Sequence, residues 1–277
     1  MSRPILAAGI AVTAFALFQP AEAETLTKTL AGTKLEVHMA CPAEIKIEPR
    51  ADLGGKIEVE ATADEQAALD GIQLSGGEVA RIEYSEHCRA AEGLQIHGDL
   101  DIGGLHLDNI HIGDSSLELA IRVPPGLPIE IRSASEGEYE IGAVAGPLAL
   151  KLSGASELHA EHLSSLDLDS AGAAEIHIDR LDGPGVVVLH GGGEVTISDG
   201  KMPSLNVDSR GAGEIEVEGG EIGTLDISIA GAGNAEIHAP VRDATLKIAG
   251  IGNIEVEKVT GTVHRDIAGL GNIDIGD

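Results

Sequence analysis

Four residues in the middle of the chain have types and spacing suited to metal chemistry: Glu157, His159, Glu175 and His177. Each Glu-x-His triplet puts a carboxylate and an imidazole on one side of an extended strand, because side chains two apart share a face. If the strands stack, the two triplets form a square of four donors that suits zinc or a similar divalent cation. The competing reading is a solvated face on which histidine relieves carboxylate crowding, with no cofactor at all. Asp99, Asp101, Asp108 and Asp114 also gather acid, but they lack the spacing of an EF-hand loop or of the calcium-binding nonapeptide. No nucleophile elbow, phosphate-binding loop or zinc-protease motif is present, so no catalytic residue is expected.

What must position these residues is a repeat. A corner with a small residue recurs at Ser135, Gly154, Gly172, Gly191, Gly211, Gly231, Gly250 and Gly269, at intervals of 19, 18, 19, 20, 20, 19 and 19. Two positions later the residue is again small, from Gly137 to Gly271. After the corner, apolar residues alternate with period two: Tyr139, Leu158, Ile176, Val195, Ile215, Ala235, Ile254 and Ile273, then Ile141 through Ile275. Before it, Ile131, Leu150, Leu168, Val187, Val207, Ile227 and Leu246 mark a second strand. Leu163, Leu181, Met202, Ile222, Val241 and Val259 suggest a looser third side. Period two is the strand signal, and self-similarity at a fixed interval is that of a solenoid. The expected fold is therefore all-β: a parallel β-helix of about eight coils of ~19 residues, rising about 4.8 Å per coil and about 38 Å in all.

On this frame the outward columns become ladders. Three positions after the corner stand Glu138, Glu157, Glu175, Glu194 and Glu214, followed by Asn234, Asn253 and Asn272. Stacked carboxylates at this spacing repel by about 1 kcal/mol per pair even in water. Two positions further stand Glu140, His159, His177, Thr196, Glu216, Glu236, Glu255 and Asp274. Any binding specificity should sit in these columns. In the last coil Arg265 falls in an inward column, and the open edge there could pair end to end with a second copy.

The remainder divides in two. Residues 1–23 read as a secretory signal peptide: Arg3, an apolar run Ile5–Phe18, and the cleavage signal Ala21-Glu22-Ala23. The mature chain is then expected to start at Glu24, in the periplasm or outside the cell, without membrane insertion. Residues 24–125 read as an N-terminal β cap with strands at Ala43–Pro49, Lys56–Thr62, Val79–Tyr84 and Leu117–Val123 and one short helix over 64–69. Residues 126–277 carry the repeats. In an oxidising compartment Cys41 and Cys88, the only two cysteines, are expected to form a disulfide.

Composition narrows the function. With 18 Lys and Arg against 46 Asp and Glu, the net charge of −28 excludes nucleic acid and disfavours anionic lipid surfaces. There is no Trp, and both Phe residues lie in the signal segment. A groove built on aromatic stacking is therefore unavailable. A β-helix enzyme acting on an acidic polymer would need a basic groove, and Lys and Arg form no column.

The repeated units RGAGEIEVEG, AGAGNAEIHA, AGIGNIEVEK and AGLGNIDIGD, with the lead-in LAIRVPPGLPIEI, resemble the "putative auto-transporter adhesin, head GIN domain" family. The likeness extends over roughly residues 26–277. It implies a parallel β-helix-like fold in an exported, adhesin-like protein, and brings no catalytic residues. The combined expectation is a non-enzymatic cell-envelope or surface protein that binds an envelope component through an acidic β-face. The alternatives are an enzyme acting on an envelope polymer, or an end-to-end assembling structural protein.

Overall fold

A computed structural model describes residues 23–64, 66–84, 100–102, 105–107 and 117–276. The fold is the expected β-solenoid. Strands preceding each corner stack on one face: Ile129–Ser133, Gly146–Leu152, Leu163–Ser170, Gly185–Leu189, the second half of Gly192–Ser209, Glu221–Ile229, Val241–Ile248 and Val263–Ile267. Strands following it stack on the other: Gly137–Ile141, Ala155–Ala160, Ala173–Leu181, the first half of Gly192–Ser209, Ala212–Val217, Asn234–Ile237, Asn253–Val256 and Asn272–Ile275. Every pairing in these two stacks is parallel, so like residues lie over like. The third side is a narrow ladder, Leu163 to Leu181 to Gly200, then Met202 to Ile222 to Val241 to Val259.

Alternation sets the core. Ala155–Ala160 and Ala173–Leu181 begin with strict exposed–buried alternation, as an extended chain with one wet face requires. The inward columns are Ile, Val, Leu and Ala in one continuous cluster. The departures are the buried serines Ser133, Ser170 and Ser209 and the almost fully buried Tyr139, whose hydroxyl is 2.6 Å from the position of a Cβ on Gly137. Burial raises the pKa of this phenol above its ordinary value.

The corner glycines have a physical cause. A Cβ at Gly172, Gly191, Gly211, Gly231, Gly250 or Gly269 would lie 1.8–2.2 Å from the carbonyl oxygen of the corner glycine one coil earlier. None of the six has positive φ. Close stacking of backbones, rather than left-handed conformation, demands glycine here.

The N-terminal segment joins the same stack out of chain order. Leu35–Met39 pairs in parallel with Ile129–Ser133, and Ala43–Pro49 with Gly137–Ile141. These two strands are therefore a coil directly beneath the first repeat. Beneath them lie Ala80–Tyr84 and Glu118–Val123, again parallel. The chain thus makes an inner coil, then an outer one, then crosses back to begin the repeats. Outside this outer coil the direction reverses: Lys56–Ala63 runs antiparallel on Glu118–Val123, Glu24–Ala31 antiparallel on Lys56–Ala63, and Ile72–Ser75 antiparallel on Ala80–Tyr84. A one-turn helix, Gln66–Asp70, stands between, where the sequence places a short helix over 64–69. Leu100–Ile102 and Leu105–Leu107 form a separate antiparallel pair. The expected signal segment up to residue 22, Cys88, and Asp99, Asp108 and Asp114 lie outside the described residues.

Candidate functional site

The parallel register brings the expected columns together and lengthens one of them. Glu138, Glu157, Glu175, Glu194 and Glu214 are direct neighbours on successive coils, and Asn234, Asn253 and Asn272 continue the line. Below Glu138 the ladder extends through Glu44 to Glu118. Seven glutamates thus stand in one row, all exposed. Among the described residues no lysine or arginine makes an ion pair with any of them. The two N-terminal members escape the repeat count because their strands lack the glycine corner, yet AEIKI and ELAIRV carry the same Glu-then-alternating-aliphatic signal.

Beside the ladder, the two positions just after each corner are small: Ala155 and Ser156, Ala173 and Ala174, Gly192 and Gly193, Ala212 and Gly213. They floor a shallow open groove of about 600 Å³ that runs along the rod with the glutamates Glu138 to Glu214 as its wall. Toward the C-terminal end the first of these positions becomes Ile251 and then Leu270, both well exposed. The ladder beside them has by then turned to asparagine.

The second outward column holds the histidines. His159 sits over Glu140 and under His177. Glu140 is taken by Lys46 at 2.8 Å, which holds its carboxyl below the ordinary value. The histidine rings are 5.5 Å apart at their centroids and tilted by 46°. Their nearest acidic partner is Asp179, two residues beyond His177 on the same strand face. Its Oδ1 lies 3.0 Å from His159 Nε2 and 3.2 Å from His177 Nε2. Glu157 and Glu175 flank the pair in register but stand outside this cluster, which is His159, His177 and Asp179. The sequence reading passes over Asp179 although the period-two rule that pairs Glu175 with His177 also pairs His177 with Asp179. Further along the same side, Glu216, Glu236 and His238 form a second three-donor group.

The other broad face carries both signs. Glu36 receives Arg81 at 2.8 Å and Lys34 at 3.0 Å, and Glu130 pairs with Lys34 and Arg132. Hydrogen bonds from Arg81 first, and then Lys34, hold the Glu36 carboxyl down to about 2. Lys34, Arg81 and Arg132 are therefore engaged by partners on that face. Cys41 is buried, at the position equivalent to Ser135 in the next coil.

Among the described residues no helix is long and apolar enough to cross a membrane. No curated protein matches the chain in sequence. Several solved structures share its fold. A "putative lipid binding protein" from Parabacteroides distasonis aligns with a TM-score of 0.60 over 92% of this chain and 97% of that one, at 16% identity. A "putative adhesin" from Parabacteroides merdae aligns with a TM-score of 0.57 over 92% and 97%, at 15% identity. A "putative adhesin" from Bacteroides fragilis gives 0.50 over 93% and 99%, at 12% identity. At such identities the likeness concerns the architecture. The sequence match is to the solenoid: residues 147–276 match the family described as "Putative auto-transporter adhesin, head GIN domain".

Proposed function

We propose that the protein is an exported, non-enzymatic binding module of the cell envelope or surface, and that it engages its partner along the glutamate ladder. The observation that carries this reading is the row of seven exposed glutamates at fixed spacing, five of them beside a groove floored by small residues. Each adjacent pair costs about 0.9 kcal/mol of repulsion in bulk water. A solvated surface needs no such row, since dispersed charge secures solubility without it. A partner bearing cations at a matching repeat would relieve the repulsion along the whole line. The small floor lets such a partner approach the backbone closely. The reversed strands beyond the outer coil serve, in this reading, as the N-terminal cap that repeat arrays need. The Parabacteroides distasonis neighbour is titled a lipid-binding protein. In this chain the groove wall is carboxylate and its floor Ala, Gly and Ser, a poor seat for an acyl chain.

The test is capture from a cell-envelope extract on the immobilised chain, with and without a chelator. Wild-type protein is expected to retain a component that a variant with Glu138, Glu157, Glu175, Glu194 and Glu214 all changed to Gln does not, and retention should weaken with salt. Equal retention by both proteins would remove the ladder from consideration. Changing Glu157, His159, Glu175 and His177 to Ala separates the enzyme alternative: a binding rod keeps its fold and loses cation affinity and part of its partner retention, whereas an enzyme built there loses turnover.

A further inference from the structure

We infer that His159, His177 and Asp179 form a surface site for a divalent transition metal of the zinc class, open toward solvent. The inference is independent of the ladder reading, because it uses a different column and a different chemistry.

Three observations carry it. The donor set is two neutral-capable imidazoles and one carboxylate, which is the ligand chemistry of open three-ligand zinc sites. The spacing is also right. Metal–ligand bonds near 2.1 Å with angles between octahedral and tetrahedral put adjacent donor atoms about 3.0–3.4 Å apart. Asp179 Oδ1 lies 3.0 Å and 3.2 Å from the two Nε2 atoms, and all three ligand atoms fall within 4.8 Å of one another. The separation of the two Nε2 atoms is the one that must shorten when an ion binds. Finally, the scaffold is rigid. His159 and His177 are cross-strand neighbours in a parallel ladder, and Asp179 is fixed two residues along the same strand. The donors are thus placed before any ion arrives, so little ordering entropy opposes binding.

The surroundings agree. Glu157 and Glu175 flank the histidines in register and lend a negative field. Arg180, next to Asp179 in the chain, is drawn away: its Nε is 2.7 Å from Asp182 and its Nη1 2.9 Å from Asp199. Without metal, the His159 Nε2–H donates to Asp179 Oδ1, with His177 Nε2 close beside it. With metal, those nitrogens turn to coordination and the remaining positions are left for water or a donor from a partner. The Glu216, Glu236 and His238 group offers one imidazole only, so it should rank lower for zinc.

The experiment is zinc titration of the full chain, purified without a polyhistidine tag, in competition with a chromophoric chelator. One zinc ion is expected to bind at this site. The double variant His159→Ala/His177→Ala should lose at least about 100-fold in affinity, and Asp179→Asn about 10-fold. Glu216→Gln/His238→Ala should leave that ion in place, as should the five-fold ladder Gln variant apart from a loss of field. Ladder binding and metal binding can therefore fail separately. Cobalt titration of the wild-type chain provides a readout that needs no variant: coordination by imidazole should bring up visible ligand-field bands. Wild-type affinity in the double variant overturns the site, and so does a wild-type chain without cobalt bands, whether or not the variants fold.

Discussion

Replacing Gly211 by Ala should destabilise the rod severely, while the same change at Gly192, one coil away, should not. An ideal Cβ at Gly211 falls 1.8 Å from the Gly191 carbonyl oxygen and 2.7 Å from its carbon. An ordinary carbon–oxygen contact is about 3.3 Å, so something must yield by about 1.5 Å. The obstacle is backbone, and it is pinned: Ala212 N donates to Gly191 O at 3.1 Å, and Arg210 N to Leu189 O at 2.8 Å. Moving the corner that far breaks those two bonds, at about 1 kcal/mol each, on top of about 1–3 kcal/mol for overpacking. The expected loss is about 3–5 kcal/mol.

At Gly192 nothing lies within 4 Å of the added carbon. Its φ is not positive, and Ala155, Ala173 and Ala212 already occupy its column. There the smaller entropy of the unfolded alanine chain should stabilise by about 0.5 kcal/mol. The two changes are chemically identical and predicted to differ in sign. Guanidinium unfolding followed by far-ultraviolet circular dichroism measures both, with the midpoint compared at unchanged slope. Equal shifts for the two variants would refute close coil stacking as the reason for the glycine column.

Two further outcomes follow from the N-terminal layers. The Glu36 carboxyl, held at about 2 by Arg81 and Lys34, has a folded pKa below its unfolded value near 4.5. Its contribution is present in full above pH 4.5 and is lost as pH falls toward 2. The stability difference between wild type and Glu36→Gln, from melts across that range, should therefore shrink on acidification; a constant difference would show that the pairing does not persist in solution. For the cysteines we propose the pairing Cys41–Cys88. The intact mass of the oxidised chain should rise by two hydrogens on reduction, and thiol labelling of unreduced, denatured protein would refute it.

Legibility in the sequence tracked how local the cause was. The corners of residues 135–271 were readable because each needs a small residue for a steric reason repeated on every coil, and the inward columns because a pleated strand alternates. The strands at 43–49 and 117–123 were readable as strands for the same reason. Their place in the stack was not. Leu35–Met39 lies between Ala80–Tyr84 and Ile129–Ser133, and inter-coil order depends on pairings of residues 45 and 94 positions apart that no local pattern encodes. Strand Leu35–Met39 escaped notice because its Val-His-Met alternation ends at Cys41 instead of a glycine.

The same reasoning separates what the outside columns can and cannot be doing. An inward position is constrained: with coils about 4.8 Å apart it must be filled by a side chain that packs without water, and the chain uses mostly Ile, Val, Leu and Ala, with Tyr139 and a few serines among them. An outward position is not forced by the fold, so a departure from indifference there has another cause. Glutamate at seven consecutive layers and asparagine at the next three is such a departure, and the change falls between Glu214 and Asn234 without any break in register. The repulsion therefore ends at a boundary that the backbone does not mark. Within the glutamate stretch the neighbouring column changes to histidine on two successive layers only, and Asp179 follows on the second. A column serving solubility alone has no reason to change there, whereas a binding edge with one metal position does. In the proposed reading the binding surface therefore spans the layers from Glu118 to Glu214, and the asparagine layers, with Ile251 and Leu270 exposed beside them, lie outside it.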